Sequence, residues 1–225
     1  MIANMPHHIV QRGHNKQAVF FETADYKNYL ENLQELKQML DLRVYGYCLM
    51  TNHIHLIVNP GETPPNISEL MKRLAGRHTR YINKTRQRTG SSWESRFKIS
   101  PIQSDEYLLQ CCRYVDLNPV KARMCHSAEM YRWSSYRAKI GQAKQNWLDE
   151  DPIYLALGDS PDERRVAYKT FVADRLGTKD ANQLINTAVG RNQLTGDSKF
   201  IDDIETRIGI RIEFRGRGKP GKVKK

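Results

Sequence analysis

Two β-rich runs, residues 43–50 and 53–58, stand with only Thr51-Asn52 between them. A gap of two residues leaves no room for a crossover, so the runs fold back as an antiparallel hairpin, although the usual Asn-Gly turn is missing. Upstream, residues 7–12 (HHIVQR) and 18–21 (AVFF) read as short strands around the turn-rich RGHNK. Between them and the hairpin, residues 23–41 carry a helical period through Tyr26, Tyr29, Leu30, Leu33, Leu36 and Leu40, with Thr23 as a cap. Downstream, the breaker GETPPN precedes a long helix over 67–88, punctuated by Gly90. A strand over 92–103 follows, interrupted late by Pro101, and then a helix over 105–118 that Pro119 ends or kinks, the chain leaving the α-helix at Asn118. The order β-α-β-β-α-β-α predicts an α+β fold: a ferredoxin-like (split βαβ) antiparallel sheet with helices on one face.

After Gly141 the texture changes. Residues 142–210 read as short helices with few strand signals, a C-terminal helical extension to a first domain over 1–141. Residues 211–225 hold seven basic residues against one acidic, which predicts a disordered basic tail because like charges, Gly and Pro cannot build a core. No apolar run approaches the roughly 18–20 residues of a membrane span, and the N-terminus lacks a signal-peptide layout, so membrane and secreted classes are not expected. Cys48, Cys111, Cys112 and Cys125 form no CxxC pair and read as reduced core thiols of a cytoplasmic protein. The formal net charge of +11 points to a polyanion, with nucleic acid the default partner.

Three constellations carry chemistry. His53-Ile54-His55 lies within a strand, so both imidazoles project from one face with Ile54 on the other. Imidazoles about 7 Å apart at Cα can converge on one metal ion. His7 and His8 are adjacent and face opposite ways, and neither His78 nor His126 offers an equal pair. On the helix after Pro101, Tyr107, Cys111, Tyr114 and Asn118 share a face, while Leu108, Leu109, Cys112 and Val115 line the face for the sheet. Spacing alone leaves open whether Tyr114 is reactive or a packed amphipathic residue, and whether Asn118 is a ligand or a cap. On the long helix, Arg73, Arg77, Arg80, Lys84 and Arg88 form one basic stripe within residues 66–98, where nine Lys/Arg meet two Glu. With so little acid at hand, the stripe reads as a phosphate-binding face.

The stretches QRGHNKQAVFF, YCLMTNHIHLIV, the WESRF segment and YLLQCCRYVDLNPVKARM resemble the single-tyrosine HUH transposases, and among them the REP-associated tyrosine transposases. The resemblance covers residues 5–140, with a weaker likeness in TGDSKFIDDIETRIG and the basic tail. It implies a DNA strand transferase and endonuclease that cleaves and rejoins one strand through a 5′-phosphotyrosine link, leaving a free 3′-hydroxyl. The family motif places the nucleophile at Tyr114, with Tyr107, two turns earlier, as the competing candidate. It implies a divalent ion, Mg2+ or Mn2+, held by His53, His55 and Asn118.

The implied partner is single-stranded DNA beside palindromic, REP-like hairpins. Arg12, His14, Asn15 and Lys16 are then candidates for guide-sequence contact, Arg96 and Lys98 for the scissile phosphate, and the long helix and tail for the backbone. The resemblance further suggests a monomer acting near the nucleoid. Two other readings stand beside it: a hairpin-binding regulator that does not cut, and a water-using phosphodiesterase.

Overall fold

The computed structural model describes residues 1–103, 106–174 and 178–212; the predicted basic tail lies, but for its first two residues, outside them. Four strands form one antiparallel sheet: β1 (His7–Arg12), β2 (Arg43–Met50), β3 (His53–Asn59) and β4 (Lys98–Pro101), in the order β2-β3-β1-β4. Helix α1 (Thr23–Met39) joins β1 to β2, and α2 (Pro65–Arg86) joins β3 to β4. This is the split βαβ arrangement, and its two crossover helices share one face. There Ile9, Leu49, Ile54, Leu56 and Val58 pack against Tyr29, Leu33, Leu36, Leu70 and Leu74.

The β2–β3 hairpin pairs Met50 with His53 and Cys48 with His55, so two residues do suffice for the turn. α1 starts one residue earlier than its Thr23 cap would place it. Glu22 is the N-cap, in a capping box with Asp25, whose Oδ2 accepts from the amides of Phe21 (2.7 Å) and Glu22 (3.1 Å). Residues 18–21 form no strand: the amides of Val19 and Phe20 both donate to Thr51 O, so no ladder can propagate, although both side chains are buried. The strand expected over 92–103 is confined to β4. Trp93 bridges Gly13, just beyond the end of β1, the chain then leaves, and it pairs with β1 from Lys98, with Pro101 tolerated at the sheet's margin. α2 ends at Gln87 in the left-handed region (φ 50°), three residues before Gly90.

The opposite sheet face carries α3 (Glu106–Asp116) and the C-terminal extension. Cys48, Met50 and Ile57 meet Leu108, Cys111, Cys112 and Val115, and the cluster continues into Tyr154, Tyr168, Val172 and Ile185. These come from α6 (Pro152–Leu155), α7 (Pro161–Ala173) and α8 (Thr178–Arg191); α9 (Ser198–Ile208) follows. At Pro119 the helix is interrupted at Leu117 alone and resumes as α4 (Asn118–Lys121), because proline in a first turn needs no donor. Asn118 therefore stays one turn beyond Tyr114. Asp116, fully buried, ties the layers: it accepts from Ser135 Oγ (2.9 Å) and Tyr168 OH (2.7 Å) and faces Lys139 Nζ at 3.5 Å. Lys139 belongs to α5 (Tyr136–Lys139).

Both outer strands are covered by the chain itself. Leu49 N donates to Trp133 O and Ser135 N to Tyr47 O along β2. Along β4, Thr195 N donates to Pro101 O and Ile99 N to Asn192 Oδ1. All four cysteines are free thiols, three of them buried.

Candidate active site

Strand alternation puts His53 and His55 on the α3 side of the sheet, where the β1–β3 register also brings Arg12, Val10 and His8. The His53 and His55 rings lie 5.0 Å apart. His53 Nδ1 meets Asn52 Oδ1 at 2.6 Å, and an amide oxygen only accepts, so the ring proton sits on Nδ1 and Nε2 is left bare. His55 Nδ1 lies 2.9 Å from His8 Nε2, and the two rings stack at 5.2 Å. His55 Nε2 is buried without a hydrogen-bond partner. Burial, helped by the Arg12 charge, lowers the His53 pKa to about 4; burial first, then repulsion from His8 and His53 when they are protonated and from the Lys121 and Arg12 charges, holds His55 well below its ordinary value. Both rings are neutral at physiological pH, the state a metal ligand requires.

Tyr114 reaches the same place from α3. Its ring centroid stands 5.9 Å from His55 and 5.7 Å from His8, each in edge-to-face geometry. The phenol donates to Asn186 Oδ1 of α8, and Lys121 Nζ sits 4.2 Å over the ring while donating to Asn182 Oδ1 at 2.8 Å. Burial pushes the Tyr114 pKa up to about 12, against smaller opposing effects of Asn118 and Arg12. Burial, then the Arg113 charge, brings Lys121 down to about 8. His53, His55 and Tyr114 line a cavity of about 610 Å³ together with Arg12, Glu94, Ser95, Arg96, Lys98, Asn118, Asn186, Val189 and Gly190.

Residues 1–118 match the model of the IS200-like transposases. The chain belongs to the IS200-like transposase family. Its fold is also that of a REP-associated tyrosine transposase solved bound to a REP hairpin, at 15% identity and a TM-score of 0.56 over 66% of this chain and 88% of that one. A putative transposase of Deinococcus radiodurans R1 aligns over 55% of this chain and 88% of that one at 16% identity, with a TM-score of only 0.35. No curated protein matches the chain.

In this transposase, the residues singled out from sequence fall into three groups. Tyr114, His53, His55, Asn118, Arg12, Arg96 and Lys98 all line the one cavity. His14, Asn15 and Lys16 form an exposed turn beside it, with Asn15 and Lys16 at positive φ (49° and 58°). The α2 stripe lies behind the sheet. Acid reaches part of it: Arg77 forks onto Glu35 of α1, outside the stretch, at 2.8 and 2.9 Å, while Arg73 holds Glu69, one of the stretch's own two acids, at 2.6 Å. Arg80, Lys84 and Arg88 are exposed. Tyr107 lines a separate cleft against α8.

Among the described residues no group of three His, Cys, Asp or Glu is placed to hold a metal. The donor set here is two imidazoles with bare or unpartnered Nε2 atoms, plus the Asn118 amide, a chemistry that would suit a divalent ion. Among the described residues no helix is long and apolar enough to cross a membrane.

Three residues escaped the sequence. His8 beside His7 offers no same-face pair by spacing, yet the strand pairing turns it toward His55. Lys121 follows Tyr114 by seven positions, two helical turns, a signal that was available. Asn186 had none, since only tertiary packing brings α8 over α3.

Proposed function

We propose that this transposase is a metal-dependent single-strand DNA endonuclease and strand transferase acting through a covalent tyrosine intermediate at REP-like hairpins. The observation that carries the reading is the convergence of Tyr114 with His53 and His55 on one cavity also lined by Arg12, Arg96 and Lys98. The Tyr114 oxygen forms a bond to phosphorus while the bond from phosphorus to the 3′ oxygen breaks. The phenol proton ends on that oxygen as the free 3′-hydroxyl, and a 5′-phosphotyrosine remains. His53 and His55, with Asn118, would hold the ion, which when bound neutralises charge on the phosphate oxygens.

The protein's own groups do the rest. Arg12, Arg96 and Lys98 grip phosphate oxygens in the cavity. The Tyr114 phenol, its pKa pushed up to about 12 by burial, is protonated at pH 7 and donates to Asn186 Oδ1, a bond it gives up when its oxygen attacks phosphorus. Glu94, Ser95 and Arg96 also edge a second groove of about 970 Å³ that runs over Trp93 and Phe97 to Arg80 of α2. Along this groove one strand would pass from the cavity toward the exposed Arg80. The turn at His14, Asn15 and Lys16 contacts unpaired bases beside the hairpin.

The test is incubation with a hairpin oligonucleotide and Mg2+ or Mn2+, read on a denaturing gel. The wild type is expected to give a denaturant-resistant protein–DNA adduct, and Tyr114→Phe none, with hairpin binding kept within about threefold. An adduct in Tyr114→Phe refutes the assignment. Tight hairpin binding with no adduct under either ion turns the reading to a silent hairpin-binding protein.

A further inference from the structure

His53 and His55 look alike in sequence but are oriented by different partners. Asn52 Oδ1 can only accept, so it fixes the His53 proton on Nδ1. The partner of His55 is another imidazole, His8 Nε2, which can either donate or accept. His8 is fully buried and His55 is 4% exposed, so bulk water has little access to the pair. Two arrangements of the pair exist. In one, His55 Nδ1–H donates to His8 Nε2, and His55 Nε2 is a bare lone pair. In the other, His8 Nε2–H donates to His55 Nδ1, and His55 Nε2 carries a hydrogen that blocks coordination.

Both outer nitrogens, His8 Nδ1 and His55 Nε2, are buried without partners. Each arrangement therefore strands one N–H and one lone pair, and neither is favoured by hydrogen bonding within the pair. A cation at His55 Nε2 removes this balance, because only the first arrangement offers it a lone pair.

We propose that His8 is the positioning residue of the metal site: it receives the Nδ1 proton of His55, so that ion binding switches the pair into the ligating arrangement. The proposal rests on the reading of His53 and His55 as ligands. No net charge is gained or lost by the pair. The proton on His55 moves from Nε2 to Nδ1, and the proton on His8 moves from Nε2 to Nδ1. The β1–β3 register supports it: Val10 faces His55 and His8 faces Ile57, so His8 is the diagonal neighbour of His55 on the same sheet face and its ring reaches across.

Two measurements on the full chain without DNA test this. Calorimetric titration with Mn2+ is expected to show binding weakened about 10- to 100-fold in His8→Phe, which keeps ring size but has no acceptor. His8→Gln, whose carboxamide oxygen can accept from His55 Nδ1–H, is expected to recover affinity to within about threefold of wild type. Nitrogen-15 spectra of wild-type imidazoles, saturated with Mg2+, are expected to show His55 and His8 both protonated at Nδ1. His8→Phe binding Mn2+ as tightly as wild type overturns the proposal, as does an Nε2–H signal for His55 in the Mg2+-saturated protein. His53→Ala separates the two levels. If it abolishes Mn2+ binding while His8→Phe does not, only the role of His8 falls; if it leaves binding unchanged, the ligand reading falls and takes this proposal with it.

Discussion

Asp116 follows Tyr114 by two residues and anchors α3 from inside the protein. Replacing it by Leu removes the carboxylate paired with the Lys139 ammonium, whose side chain is only 6% exposed, leaving it the more distant Asp151; it also strips the Tyr168 hydroxyl of its acceptor and leaves Ser135 Oγ only Tyr47 O at 3.3 Å. Breaking a buried pair from one side costs about 3–5 kcal/mol. At about 2–4 °C per kcal/mol for a chain of this size, Tm should fall by roughly 6–20 °C. The pair is not itself a large source of stability, because removing both charges also removes both desolvation costs. Asp116→Leu with Lys139→Met should therefore recover more than half of the loss. Urea unfolding followed by circular dichroism measures all three proteins. A single-variant loss under about 1 kcal/mol, or a double variant no better than the single one, refutes the account.

Four further outcomes are expected. Burial, with a smaller contribution from the N-terminal charge, lowers the His7 pKa to about 3, and burial lowers that of His78, so between about pH 3 and 6.5 the unfolded chain binds more protons than the folded one. Stability should thus fall on acidification below about pH 6.5, by at most about 1.4 kcal/mol per pH unit per histidine, and the urea midpoint of His7→Gln should fall less. Arg96→Ala should lower the salt dependence of hairpin binding by about one unit of slope, whereas Arg73→Ala, already paired with Glu69, should leave it unchanged in a fluorescence titration. A Cβ at Gly13 would lie 2.3 Å from Gln17 O and 2.8 Å from Val19 Cγ1, so Gly13→Ala should cost about 1–3 kcal/mol in the same urea assay. Tyr107→Phe should form the adduct at the wild-type rate, since Tyr107 lines a different cleft.

The parts of this fold that were legible in sequence are those set by local period. The β2–β3 hairpin followed from a two-residue gap, and α1 and α2 from their apolar spacing. The same-face placement of His53 and His55 followed from alternation alone. Residues 18–21 misled because β-rich composition says nothing about whether a neighbouring carbonyl row is free, and here Thr51 O takes both donors. The basic stripe misled in part because Glu35, which neutralises Arg77, lies 42 positions away. Part of the cavity lining was illegible for the same reason: Asn186, Val189 and Gly190 reach it through packing, beyond the residues matched by the family.

The covering of β2 by residues 133–135 and of β4 by residues 192–195 bears on how copies of this protein can meet. A sheet whose marginal amides and carbonyls are already engaged offers no template for a strand from another molecule. Growth of the sheet across a molecular boundary would first have to displace these covering segments.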